Sequence, residues 1–158
     1  MKWSSVVCAL FAGVVVAGCG SEPPPVVAVV HQAPPCRDQW VHMPMLVTFP
    51  TSGSDLDFQN REILREMVRS ASTRTDIRRV RVEGHTDTCG SEINNMALSQ
   101  TRASRVASEL VAMGVPSAMI DTMGYGSSRP RANESCGRNQ QLSEQTNRRV
   151  EFELLVCR

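Results

Sequence analysis

Asp87 and Arg102 stand 15 positions apart, and their surroundings suggest binding rather than bond-breaking chemistry. Val80 and Val82 alternate with Arg81 and Glu83, the period-2 pattern of a half-buried strand. Gly84 ends that pattern, and His85-Thr86-Asp87 follows as the exit from the strand. A polar loop over residues 88–92 carries Gly90. A long helical pattern then opens near Asn94 or Asn95, either of which is a good N-cap. Arg102 falls about two turns into that helix. In a strand–loop–helix unit the two side chains can face one cleft. There a carboxylate takes an ammonium and a guanidinium takes a carboxylate in a bidentate fork. A small zwitterion is the ligand they suit.

The rest of the chain offers no competing chemistry. No nucleophile stands with a paired base, no HExxH helix is present, and no two carboxylates sit in an acid–base context. An enzyme is therefore not expected, and no cofactor is implied. His85 reads as a packed or solvated histidine without an acid–base role. A metal site built on His85 and Cys89 lacks two further ligands at suitable spacing. Lys2 is the only lysine, and without it 16 arginines face 16 acidic residues. That balance leaves no basic excess for nucleic acid or an anionic membrane surface. Arg74, Arg78, Arg79 and Arg81 read as a solvated turn and the outer side of a strand.

The first residues read as a targeting segment. Lys2 precedes an apolar run over residues 6–17, too short to span a bilayer and suited to a signal peptide. Ala17 and Gly18 directly before Cys19 resemble a lipoprotein signal, in which cleavage leaves Cys19 as a lipidated N-terminus. Gly20 rather than an aspartate follows, which by analogy with enteric bacteria favours the outer membrane, with the domain facing the periplasm. Residues 1–18 are thus expected to be the signal and residues 19–43 a lipidated tether, whose Pro23-Pro24-Pro25 favours extended polyproline. Residues 44–158 are expected to be one domain. Once Cys8 leaves and Cys19 is lipidated, Cys36, Cys89, Cys136 and Cys157 remain, an even number that points to two disulfides with three possible pairings.

Within the domain, residues 45–49 read as a first strand ended by Pro50. Asp55 or Ser54 can cap a helix carrying Ile63, Leu64, Met67 and Val68 at helical spacing. The central strand and the cleft come next, then a second helix over residues 95–113 with Leu98, Val106, Leu110 and Met113 on its apolar side. Gly114 stands where a left-handed C′ residue is wanted. Residues 119–123 form a short strand before Gly124-Tyr125-Gly126. A long polar loop, at most a short helix over residues 142–147, and a last strand over residues 149–156 complete the chain. This β-α-β-α-β-(α)-β order predicts an α/β (α+β) fold, a mixed sheet with helices on one face. Aromatic residues are only 4% of the chain, so the core must depend on Val, Leu, Ile and Met.

Gly84-His85-Thr86-Asp87, then Asn95-x-x-Leu98-Ser99-x-x-Arg102-Ala103, then Gly124-Tyr125-Gly126 and Asn147-Arg148-Arg149-Val150-Glu151, resemble the OmpA-like peptidoglycan-binding domain over residues 45–156. The resemblance implies that Asp87 and Arg102 grip the meso-diaminopimelate of a peptidoglycan stem peptide. Thr86, Asn95, Leu98 and Arg149 would shape the pocket. Pro50-Thr51-Ser52-Gly53 replaces the aromatic and aspartate that this family usually carries after the first strand. In this fold the loops of Cys89 and Cys136 rim the cleft, and the terminal strands bring Cys36 and Cys157 together, so Cys89–Cys136 and Cys36–Cys157 are the expected bridges. The implied role is a lipid-anchored, non-covalent tether between outer membrane and wall. The alternative is a module whose main business is contact with a Tol-type periplasmic protein.

Overall fold

In the computed structural model, residues 36–133 and 145–158 are described. The elements run β1 (Asp38–Thr48), α1 (Phe58–Ser72), β2 (Ile77–Gly84), α2 (Glu92–Ala112), a 3-10 turn (Ser117–Met119), β3 (Ile120–Gly124) and β4 (Arg149–Cys157). The strands form one mixed sheet in the order β1-β4-β2-β3. β4 is antiparallel to both its neighbours, and β3 runs parallel to β2. Residues Pro34–Arg158 form one compact unit. The expected helix–strand order and mixed sheet are therefore present. The first strand, expected over residues 45–49, begins earlier, because β1 extends back to Asp38.

β1 tolerates Pro44 because it is an edge strand, where a missing N–H costs no central ladder bond. Its register against β4 is irregular between His42 and Leu46. The start of β1 is fastened to the end of β4 by a Cys36–Cys157 disulfide with a Cα–Cα distance of 5.2 Å, the pairing expected for these two cysteines.

Both helix starts differ from the expected caps. α1 is capped by Asp57, whose carboxylate accepts from the Asn60 N–H at 2.7 Å. Neither Ser54 nor Asp55 is the cap, because the chain forms no helical turn before Phe58, after Leu56 is buried in the core. α2 begins at Glu92 under Ser91, whose hydroxyl accepts from the Asn94 N–H at 3.2 Å. Asn94 and Asn95 therefore lie inside the first turn, and a hydroxyl followed by free N–H groups satisfies the same need they would have met. Gly114 has φ of 98° after the last turn, as its position demanded.

The core lies between the sheet and the two helices. Val47, Val82, Val150, Phe152, Leu154 and Val156 meet Leu64 and Met67 from α1 and Ala103, Val106 and Leu110 from α2. β4 carries Val150, Phe152, Leu154 and Val156 on that face and Arg149, Glu151 and Glu153 on the other. In the sheet register Gly84 lies opposite both Gly124 and Val150. A Cβ on Gly84 would stand 2.0 Å from the Ser99 carbonyl oxygen, and one on Gly124 would stand 2.5 Å from the Gln100 nitrogen. These two glycines let α2 lie directly on the sheet, which sets the depth at which Arg102 reaches the strand ends. Among the described residues no helix is long and apolar enough to cross a membrane.

Candidate functional site

The end of β1, the start of β4 and the ends of β2 and β3 share one pole, since Thr48 pairs with Arg149 and Gly84 with Val150 and Gly124. The exit of β2 is fixed there by its backbone. The His85 N–H donates to the Arg149 carbonyl at 2.8 Å and the Thr86 N–H to the Gly126 carbonyl at 2.9 Å. This delivers Asp87, 7% exposed, into the mouth of the fold. One carboxylate oxygen accepts from the Cys89 N–H at 3.3 Å, and the other takes the Arg148 guanidinium at 3.1 Å. The Asn95 amide donates to the Asp87 carbonyl at 3.3 Å, so Asn95 braces the segment as a pocket-shaping residue would.

Arg102 comes to the same pole from the other side, and it is wholly buried. Its Nε donates to the Gly53 carbonyl at 2.8 Å, its Nη1 to the His85 carbonyl at 3.2 Å and its Nη2 to the Pro50 carbonyl at 2.9 Å. The guanidinium carbon also lies 5.1 Å from the centre of the Phe49 ring. Burial pushes its pKa down to about 10, opposed by the Asp87 carboxylate and reinforced by Arg148. At neutral pH it remains a cation. Asp87 and Arg102 thus share one electrostatic environment, but three backbone carbonyls already bind the guanidinium.

Asn147, Arg148 and Arg149 point three ways. The Asn147 amide clamps the polar loop, its oxygen accepting from the Arg131 and Ala132 N–H groups and its nitrogen donating to the Ala132 carbonyl. Arg148 crosses to Asp87 and to the Phe49 carbonyl, the latter at 3.1 Å. Arg149, expected to shape the pocket, is directed to the opposite face of the sheet, because successive side chains alternate across a strand. There it donates to the Glu151 carboxylate and to the Arg129 carbonyl. Arg148 is the cation that residue spacing alone did not single out. The signal was present in the parity of β4, since Arg148 shares the parity of the core residues Val150 and Phe152.

His85 lies on the outer face, stacked on Tyr125 with ring centroids 5.5 Å apart. It is 2% exposed and neither ring nitrogen has a hydrogen-bond partner. Burial, helped by Arg149, pushes its pKa down to about 4, with Glu151 opposing. The Thr86 hydroxyl is likewise buried without a partner, and Leu98 is half-buried. A cavity of about 440 Å³ opens beside Arg148, lined by Thr48, Phe49, Pro50, Asp55, Leu56, Asp57 and Gln145. A more apolar cavity of about 330 Å³ lies between the far ends of α1 and α2, against Met43, Met67, Leu110 and Met113, and none of Asp87, Arg102 and Arg148 lines it. Cys36, Asp38 and Cys157 come close enough to suggest a metal site, but both sulfurs are consumed in the disulfide. Cys89 is also disulfide-bonded; its expected partner, Cys136, lies outside the described residues, as do Cys19 and the signal segment.

Residues 48–144 match the OmpA family. The chain is 35% identical over 125 residues to the outer-membrane lipoprotein YfiB of Pseudomonas aeruginosa, covering 73% of this chain and 74% of that protein. It is 40% identical over 113 residues to an outer membrane protein of Gluconacetobacter diazotrophicus, 68% of this chain but only 29% of that longer protein. The peptidoglycan-associated lipoprotein of Burkholderia pseudomallei has a similar structure, with a TM-score of 0.55 and 27% identity over 72% of this chain and 89% of that one. With the strand order, the helices on one face and the matched motifs in agreement, this chain belongs to the OmpA family.

Proposed function

We propose that this protein is a lipid-anchored module of the outer membrane that binds peptidoglycan non-covalently through the meso-diaminopimelate of stem peptides. The observation that carries the reading is the Asp87 carboxylate held at the mouth of the fold beside two guanidiniums, Arg148 at 3.1 Å and the buried Arg102. The free end of a diaminopimelate side chain bears an ammonium and a carboxylate. Asp87 meets the first and an arginine the second, and an approaching ammonium can replace Arg148 at Asp87. The names of several similar proteins, outer-membrane lipoprotein and peptidoglycan-associated lipoprotein among them, support the reading. Cys19 would carry the lipid that holds the module to the membrane.

Lysine at the same stem position keeps the ammonium but lacks the carboxylate. A lysine-type stem therefore gains no charge-assisted bond from an arginine, and a bond of that kind contributes about 1.5–3 kcal/mol. Calorimetric titration with the two muropeptide types should therefore give at least tenfold weaker binding to the lysine type. Equal affinities would contradict recognition of diaminopimelate.

A further inference from the structure

A carboxylate pairs with a guanidinium through two parallel N–H groups, and one edge that offers them is Nε with Nη2. In this protein that edge is taken by two oxygens of a single turn, the Gly53 carbonyl at 2.8 Å from Nε and the Pro50 carbonyl at 2.9 Å from Nη2. The turn is closed by the Gly53 N–H donating back to the Pro50 carbonyl at 3.2 Å. Two neutral oxygens thus stand where the two oxygens of a ligand carboxylate would stand.

The turn is also strained. Ser52 has φ of 57°, in the left-handed region that disfavours side chains other than glycine. A Cβ on Gly53 would lie 2.6 Å from the Pro50 ring, so the turn closes this tightly only with glycine there. Its flanks are firm: the Phe49 N–H donates to the Arg148 carbonyl at 2.9 Å, and Leu56 is buried. Between these anchors the segment is held by the Arg102 bonds and by an Arg105–Asp55 pair at 3.4 Å, both of whose side chains are exposed. An exposed pair of this kind contributes little.

We propose that the turn at residues 50–53 is a latch over Arg102, occupying its carboxylate-binding edge in the free protein and swinging aside when a ligand carboxylate binds. This rests on the diaminopimelate reading of the same site. The ligand is then charged for opening the latch, and its apparent affinity falls with the fraction of molecules that are closed. Ser52→Gly removes the left-handed penalty and holds the latch shut. Gly53→Ala drives a methyl into the proline ring and holds it open. Neither change alters Asp87, Arg102 or Arg148.

The test uses the unit from Pro34 to Arg158, which is compact by itself, as parent, Ser52→Gly and Gly53→Ala. Two readouts are taken, exchange of the Arg102 Nε–H by NMR without ligand and titration with diaminopimelate muropeptide. The latch predicts Nε–H exchange slowest in Ser52→Gly and fastest in Gly53→Ala. It predicts muropeptide affinity about fivefold weaker than parent for Ser52→Gly and tighter than parent for Gly53→Ala. Nε–H exchange equal in parent and Ser52→Gly, or equal muropeptide affinity of those two when the parent binds, overturns the latch. If the exchange order holds but no variant binds muropeptide, the wall-binding reading fails and the latch stands as a property of Arg102. Ser52→Gly relieves strain, so the comparison survives even if Gly53→Ala does not fold.

Discussion

His85 shows how a residue in the most recognisable motif can serve structure alone. Its ring is stacked on Tyr125, its nitrogens are unpaired, and its pKa is pushed down to about 4 by burial. The unfolded chain takes up a proton near pH 6.5, whereas the folded protein does so only near pH 4. Between those values the unfolded state binds more protons, so stability falls as the pH is lowered through that window. The loss attributable to His85 between pH 7 and pH 4 is about 3 kcal/mol. Urea titrations should show His85→Phe, which keeps a ring against Tyr125, losing about 3 kcal/mol less than the parent over the same interval. An identical pH profile would mean that His85 is not held neutral. The structural reading of His85 was available from sequence, but its direction was not. Nothing local says that residue 85 turns to the outer face while Asp87 turns to the mouth.

The elements set the site through two close approaches. α2 rests on Gly84 and Gly124, so the depth of Arg102 depends on two residues of the sheet that carry no side chain. Gly84→Ala places a methyl 2.0 Å from the Ser99 carbonyl, and the displaced helix should cost about 3 kcal/mol of stability. Unchanged urea stability would show that the approach is looser than described. Much at this scale was legible: the alternation in β2 and β4, the apolar stripe of α2 and the glycine after it all fixed element types. The cap positions were not, because Ser54, Asp55 and Asp57 are each competent caps. The burial of Leu56, a tertiary fact, decides among them. Arg149 and Arg148 present the same problem. Two adjacent arginines are equivalent until the register of β4 assigns one to each face. The occupation of Arg102 by the turn at residues 50–53 joins positions about fifty residues apart, and no periodicity reports such a contact.

At the scale of the molecule, the sheet has a stapled pole and a pole that carries the Asp87–Arg148 pair. Asp38 pairs with Cys157 at one end of the β1–β4 ladder, next to the disulfide, and Thr48 with Arg149 at the other. The Cys36–Cys157 bridge closes a sequence separation of 121, and replacing both cysteines with serine should cost about 2–4 kcal/mol. Because the bridge lies at the far pole, muropeptide affinity should stay within about twofold of the parent while the protein remains folded. A large loss of affinity would show that the two poles are coupled. The strand order β1-β4-β2-β3 brings the site together from segments far apart in sequence; the resemblance of the motifs conveyed that assembly, and the periodicities did not. The account stands on Asp87 as the ligand for an ammonium, and the most direct measurement is a calorimetric titration of Asp87→Asn with diaminopimelate muropeptide, folding being checked by circular dichroism. Asparagine keeps the shape and loses the charge, so the account predicts at least tenfold weaker binding by a folded protein. A folded Asp87→Asn protein that binds as tightly as the parent would contradict it.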